Sequence, residues 1–521
     1  MKEEKQAVFW ADQIAEQIIR EKGDKAEYVC AAGISPSGTV HFGNFREIMT
    51  VDIVSRALRD KGKSTRFIYS WDDYDRFRKT PSNVPKEFEK YIGVPYCSIP
   101  DPFKCHKTYA EHFEKVLEAE LKKTGVKPEF IRQNEKYRNC DYAEQIRFAL
   151  RNRTKIRQIL NKYRKQYLFD DWYPAEIFCE KCGKDTIKIT GYDEEYALKY
   201  RCECGFTGEA DFRKKGIVKL FWRIDWPMRW VYEGVDFEPG GKEHSTPGGS
   251  RTTAKEIVEE VWNKKAPVYK KYEFIILKGV GGKMSSSAGN VTTLTDVLEV
   301  YEPEIVRFMF TGTRPGAEFF VSFDLDVLKI YEDFDSCERI YYRKQEAKDE
   351  KEKHNKKRIY ELSAINLKKK MPFQPGFRHL TTLLQFYEND FEKVKEYFRK
   401  ELKTKEDEER LKVRAECAWN WLQKHAPEEM KFQVQEKPQR INLGAGEKKI
   451  ISGVISELRK KTNEEELSKR IYDLCRENSV KPKDFFKTGY KILLGKERGP
   501  RLASFMLLLG ERAIKLLEQA E

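Results

Sequence analysis

Tyr28-Val-Cys-Ala-Ala-Gly33-Ile-Ser35-Pro36-Ser-Gly38-Thr-Val-His41-Phe-Gly43-Asn44 is the stretch on which the reading of this chain turns. Tyr28 to Ala32 is a short apolar run stopped by a glycine, the pattern of a buried strand. Gly33 to Gly38 is turn chemistry, with two glycines that allow positive φ or a close approach of backbone to a ligand. From about His41 onward Phe45, Ile48, Met49, Ile53, Val54, Ala57 and Leu58 recur at helical spacing. A strand, a glycine turn and a helix predict an α/β fold. The helix start offers free N–H groups and a partial positive charge, which suits a triphosphate. His41 and Asn44 are three apart and share one face toward it. Alone, such a histidine serves as well as a cap or a packing residue.

A second stretch tips the balance. Phe274-Ile-Ile-Leu277 reads as another buried strand, followed by Gly279, Gly281 and Gly282 and then Lys283-Met284-Ser285-Ser286-Ser287. By itself a Gly/Ser loop with one lysine is an ordinary linker. Beside the first turn, its lysine and hydroxyls become donors for phosphate oxygens.

Here the sequence resembles the class I aminoacyl-tRNA synthetases. His41-Phe-Gly43-Asn44 looks like their HIGH signature and Lys283-Met-Ser-Ser-Ser287 like their KMSKS signature. Asn44 stands in place of the second histidine, keeping a polar side chain of similar reach. Ser286 stands in place of the second lysine, leaving Lys283 as the main cation of that loop. The resemblance implies ATP contacts from Pro36, Gly38, His41, Gly43, Asn44, Lys283, Met284, Ser285 and Ser286. Among these, His41, Asn44, Lys283 and Ser285 would be catalytic.

Further stretches narrow the resemblance. Trp71-Asp72-Asp73-Tyr74-Asp75 follows a predicted strand at 66–69, and Trp222-Arg-Ile-Asp225-Trp226-Pro follows one at 217–220. Gly240-Gly-Lys-Glu-His244-Ser precedes a helix expected to open on a capping box, Thr253-x-x-Glu256. All are expected to lie beyond the carboxyl ends of sheet strands, where doubly wound sheets bind ligands. The set is similar to the class I type of lysyl-tRNA synthetase. That resemblance places Gly33 and Ser35 in the amino-acid pocket, closed by Trp222 and His244. The residues alone lean the same way. Asp72 and Asp73 are the right type for an ε-ammonium and Trp222 and Trp226 for an aliphatic stem, while Arg76, Arg78 and Arg223 leave glutamate open. Asp72 also reads as a helix cap.

The cysteines carry a second layer. Cys179-x-x-Cys182-Gly and Cys202-x-Cys204-Gly flank a strand-like hairpin at 186–200, and such knuckles aim four thiolates at one structural zinc. Asp101, Cys105, His106 and His112 form a weaker set, read either as a second zinc site or as decoration on a helix spanning 104–121.

Composition bounds the rest. A chain of 521 residues with a net charge of +14 fits several domains and a polyanionic partner. Basic residues from Arg147 to Lys165 run along one predicted helical stretch, suited to the acceptor end of tRNA. The charged amino terminus predicts no signal peptide and no apolar run reaches membrane length, so a cytoplasmic protein with reduced thiols and no membrane partner is expected. Beyond about residue 340 strands give way to helical patterns, which the resemblance identifies as an anticodon-binding region. There Arg498 and Arg501 flank a glycine loop that either touches tRNA or only joins two helices.

The expected architecture is thus an α/β, Rossmann-like parallel-sheet catalytic domain with a zinc-binding insertion and an all-helical C-terminal anticodon-binding region. Its divisions are 1–97 and 216–282 for the two catalytic halves and 98–215 for the insertion, with 283–345 for the lysine loop and stem contacts and 346–521 for the helical domain. The expected reaction is ATP-dependent activation of lysine, with Mg2+, and its transfer to tRNA(Lys). Two alternatives stand beside it: a class I synthetase for glutamate or another amino acid, and an inactive, zinc-containing tRNA-binding protein.

Overall fold

Four parallel strands form the central sheet in the order Glu129–Arg132, Ser64–Trp71, Glu27–Ile34 and Val235–Phe237. The computed structural model describes residues 9–278, 291–438, 441–460 and 462–520. The strand Glu27–Ile34 buries Tyr28 and then Cys30, Ala31 and Ala32 in a row, as a parallel strand covered on both faces does. It pairs with Ser64–Trp71 so that Gly33 faces Ser70 and Ile34 faces Trp71. A Cβ on Gly33 would stand 2.8 Å from the Ser70 carbonyl oxygen and 3.0 Å from its Cβ, so no side chain fits there. After the glycine turn, one 3-10 turn, Phe42–Asn44, leads into the helix Phe45–Asp60.

Several local expectations are corrected. The strand expected at 217–220 exists as Val218–Leu220, but it pairs antiparallel with Ala175–Ile177 rather than joining the parallel sheet. The sheet position falls instead to Val235–Phe237, three residues too few to show a periodicity. The helix after His244 is Ser250–Glu260, so Thr253 lies inside it. The Thr253 hydroxyl is within hydrogen-bond reach of the Gly249 and Ser250 carbonyls and accepts from Arg223 Nη1 at 3.0 Å. The helix expected from 104 begins at Tyr109, because Lys104 takes φ 60° and Thr108 caps the amide of Glu111. His106 therefore sits in the loop before it. The long basic stretch is two helices, Ala143–Arg151 and Arg153–Asn161.

The insertion carries a three-stranded antiparallel sheet, Ile187–Tyr192, Ala197–Cys202 and Thr207–Asp211.

The chain divides into two units, one of residues 1–322 with 336–369, the other of 323–335 with 370–521. In the first, the helix Glu350–Ser363 is held by Arg358, which pairs with Asp12 at 2.7 Å. Every regular element described in the second is helical. Its core takes Leu380, Leu383 and Leu384, Ala418 and Trp421, Ile450, Ile451 and Val454, and Phe505 and Met506. Fully buried Arg414 grips both carboxylate oxygens of Asp335 at 2.9 Å, and Trp421 Nε1 donates to the Phe323 carbonyl at 2.9 Å. Among the described residues, no helix is long and apolar enough to cross a membrane.

Candidate active site

At the carboxyl end of the parallel sheet lies a cavity of about 690 Å3. Gly33, Ser35, Gly38, His41, Asn44, Asp72 and Trp222 all line it, as do Asp75, Arg76, Arg78 and Lys79. Residues far apart in sequence meet here because the strands Glu27–Ile34 and Ser64–Trp71 end in register. Asn44 Oδ1 accepts the backbone N–H of His41 at 3.2 Å, fixing the turn. Pro36 and Gly43 belong to that turn without lining the cavity. Thr39 and Gly38 run beside Asn83 and Pro81, so Arg78 and Lys79 share a wall with the glycine turn. Lys283, Met284, Ser285 and Ser286 lie outside the described residues. Thr292, just beyond them, accepts the Phe42 N–H at 2.8 Å.

The floor is a network of charges. Asp72 accepts from Arg229 Nη1 at 2.6 Å, and Arg229 Nε lies 3.4 Å from Asp225. Asp75 accepts from the Ser35 hydroxyl at 2.9 Å and pairs with Lys219 Nζ at 3.0 Å. Lys219 also reaches Asp225 at 3.8 Å and Glu176 at 3.9 Å. Burial pushes Asp72 up despite Arg229. For Asp75 burial acts the same way, but the Lys219 ammonium overcomes it and holds the carboxyl below its usual range. Burial pushes Glu176 up to about 7. Counting Asp72, Asp75 and Asp225 against Arg229 and Lys219, the floor carries excess negative charge, and its cavity-facing members are Asp72 and Asp75. Asp73 faces away, accepting the Asn134 N–H at 2.7 Å.

Trp222 opens the helix Trp222–Glu233 and stacks on Trp226 at 5.1 Å between centroids. Both Trp226 and Trp230 donate their indole N–H to buried Glu238. His244 is not in the lining. Its ring lies 5.9 Å from Trp226, and its Nδ1 is 2.8 Å from Ser250 Oγ. Behind Gly33, Glu47 accepts the Gly33 N–H at 3.1 Å and the Tyr272 hydroxyl at 2.8 Å.

Sequence reasoning missed Asp75, Lys219, Asp225, Arg229 and Glu47. A signal existed for some of them: a lysine inside the apolar triplet Val218-Lys219-Leu220, and Asp225 and Arg229 four apart on one helix face.

The four cysteine sulfurs lie within 4.8 Å of one another, with Cys179–Cys204 at 3.7 Å and Cys182–Cys202 at 3.6 Å. Zn–S bonds of ~2.3 Å place the sulfurs of a tetrahedron about 3.8 Å apart, so these thiols fit that ion and are too far apart for disulfides. The following glycines, Gly183 and Gly205, take φ 73° and 85°, which turns each knuckle back on itself. The second set also converges. Cys105 Sγ is 3.1 Å from Nδ1 of both His106 and His112 and 3.3 Å from Asp101 Oδ2. Mixed N and S ligands on such an ion stand about 3.5 Å apart. Asp101 additionally accepts the N–H groups of Phe103, Cys105 and His106, which shapes the loop around it.

In the helical unit, Arg498 is exposed in the loop between the helices Pro482–Leu494 and Leu502–Leu509, and Arg501 lies 3.8 Å from Glu464.

A phosphate-suited turn and a charged floor at the carboxyl end of one parallel sheet are the arrangement of a class I tRNA synthetase. The family model described as "tRNA synthetases class I (K)" matches residues 8–366, and the chain belongs to that family. Its relatives include the "Lysine--tRNA ligase" of Borrelia garinii subsp. bavariensis, 47% identical over 96% of this chain and 97% of that protein. That of Treponema pallidum is 45% identical over 98% of each, and that of Pyrococcus horikoshii 43% identical over 96% and 97%.

Proposed function

We propose that the protein activates lysine with ATP and transfers it to tRNA(Lys). The acid-rich floor carries this reading. Asp72 and Asp75 face the cavity, and the cations paired with them, Arg229 and Lys219, are already committed behind them. A substrate ε-ammonium restores the balance of charge there, whereas a glutamate carboxylate adds to the excess. The stacked Trp222 offers a flat wall for the aliphatic stem.

In the first step the lysine carboxylate attacks the α-phosphate of ATP. A carboxyl O–P bond forms, the α–β P–O bond breaks, and pyrophosphate leaves. Mg2+ bound to ATP neutralises phosphate charge. His41, Asn44, Arg78 and Lys79 on the wall, with Lys283 and Ser285 from the second signature, hold the phosphates, so catalysis is mostly positioning and charge stabilisation. In the second step the ribose 2′-hydroxyl at the tRNA end attacks the adenylate carbonyl and AMP leaves. Gly33, which tolerates no Cβ, and Ser35, tied to Asp75, hold the amino acid, and His244 supports the tryptophan wall from behind. Cys179, Cys182, Cys202 and Cys204 hold one structural zinc and Asp101, Cys105, His106 and His112 a second. The first ties the turn at 179–183 to that at 202–205, and the second ties the loop at 101–106 to the helix Tyr109–Lys123. Arg498 and Arg501 meet the anticodon arm.

ATP–pyrophosphate exchange with lysine against glutamate, with and without tRNA(Lys), tests the reading. Lysine-dependent exchange supports it. Exchange with glutamate instead would overturn the specificity, and none with any amino acid would leave a tRNA-binding protein.

A further inference from the structure

The basic run from Arg147 to Lys165 does not behave as one surface. Arg147 pairs with Glu144, Arg151 with Glu195, Arg153 with Glu194, Arg157 with Asp170 and Lys162 with Glu256. Arg164 and Lys165 have no carboxylate partner among the described residues. Arg164 Nε donates only to the Gln166 carbonyl, at 3.0 Å. They open a short loop whose two large rings stand in solvent: Tyr167 is 68% exposed and Phe169 79%. The loop is built to hold them there. The Asn161 side chain donates to the Leu168 carbonyl at 3.1 Å and accepts the Leu168 N–H at 2.8 Å. Leu168, between them in sequence, packs inward against the core.

The loop is also tied to the cavity. Tyr163 lies so close that a Cβ on Gly248 would stand 2.9 Å from its Cβ, and the Gly248 carbonyl accepts Arg223 Nη1 at 3.0 Å. Arg223 follows Trp222, which lines the cavity. Burial, and then the nearby Arg164 guanidinium, pull the Arg223 pKa down. Arg164 and Arg223, neither with a carboxylate partner among the described residues, fit an anion, and pinned exposed rings on the loop that Arg164 opens fit bases.

We infer that the loop 163–169, with Arg223, is the docking site of the single-stranded 3′ end of the RNA substrate, with a backbone phosphate between Arg164 and Arg223 and bases stacked on Tyr167 and Phe169. This rests on the aminoacylation reading above and adds to it the surface that leads the RNA end into the cavity. Stacking a base on an aromatic ring changes affinity by roughly 5- to 150-fold.

The test compares full-length tRNA(Lys) with the same tRNA lacking its unpaired 3′ nucleotides, by fluorescence anisotropy, against the wild type and Tyr167→Ala/Phe169→Ala. The wild type is expected to bind the trimmed RNA about 30-fold more weakly. The double variant should bind both RNAs alike, at the trimmed level, while its lysine binding by calorimetry is unchanged. Tyr167→Phe/Phe169→Tyr, which keeps both rings, should restore the preference for the full-length RNA. A wild type indifferent to trimming, or a double variant that still discriminates, overturns the proposal while leaving lysine activation intact. A wild type that binds lysine but no tRNA overturns the aminoacylation reading, and this docking site falls with it.

Discussion

Lys219→Met deletes one ammonium from the floor of the cavity and keeps most of the stem's volume. Lys219 is 1% exposed, with Nζ 3.0 Å from Asp75, 3.8 Å from Asp225 and 3.9 Å from Glu176. At an effective dielectric constant of ~20 the Asp75 pair alone carries roughly 5–6 kcal/mol of attraction, largely offset by the desolvation of both partners. Removing one partner is another matter, since it strands carboxylates in a buried site and costs about 3–5 kcal/mol. Urea unfolding at pH 8, followed by tryptophan fluorescence, should show a loss of that size. The pH dependence has a definite sign. In the wild type Asp75 is held below its usual range, so its contribution is present above pH ~4 and lost on acidification. The Lys219 pKa is raised above its ordinary value because the carboxylates outweigh burial, so its share persists up to pH ~10 and is lost above. Without Lys219 the Asp75 carboxyl is driven upward, and acid neutralises it. The deficit should therefore shrink between pH 8 and pH 5.5, and Lys219→Met/Asp75→Asn should recover at least half of it. An equal deficit at both pH values, or a double variant no more stable than the single, would refute the charge-balance account.

His41→Ala removes a group from the phosphate wall and should slow pyrophosphate exchange about a hundred- to a thousandfold, the usual cost of one well-placed donor; a loss under fivefold, with Lys283→Ala equally mild, contradicts the ATP site. Gly33→Ala forces a methyl against the Ser70 backbone and should cost about 1–3 kcal/mol in thermal unfolding and raise the lysine KM; a neutral outcome would show that the strand pair yields there. Zinc measured by mass spectrometry should be near two per chain, with Cys202→Ser and His112→Ala each removing one. A value of one that only Cys202→Ser abolishes leaves Asp101 as a loop former.

What the sequence disclosed followed from periodicity and from chemistry concentrated in a few adjacent residues. The strand at Tyr28, the turn to Asn44 and the cysteine knuckles are each continuous in the chain, so their meaning is local. The cavity floor is not. Asp75 comes from one segment and Lys219, Asp225 and Arg229 from another far along the chain, and their roles arise only when the Val218–Leu220 pair sits beside the end of Ser64–Trp71. Periodicity could not assign Val218–Leu220 to an antiparallel pair, because three buried residues look the same in either sheet. The Thr253 capping box failed because the helix opens at Ser250, three residues earlier, so the Thr253 N–H already donates to the Gly249 carbonyl at 3.1 Å.

The ion pair between Arg414 and Asp335 bears on how this chain can be taken apart. Residues 323–335 belong with 370–521, while 336–369, which follow them, belong with the first unit. No single cut therefore yields both units whole. A fragment starting at residue 370 would lack Asp335, strand a fully buried guanidinium, and lose the Tyr331 ring that stacks on Phe377 at 3.8 Å between centroids. A helical fragment meant for tRNA binding on its own has to carry 323–335 grafted ahead of it, or it will report the behaviour of a damaged core.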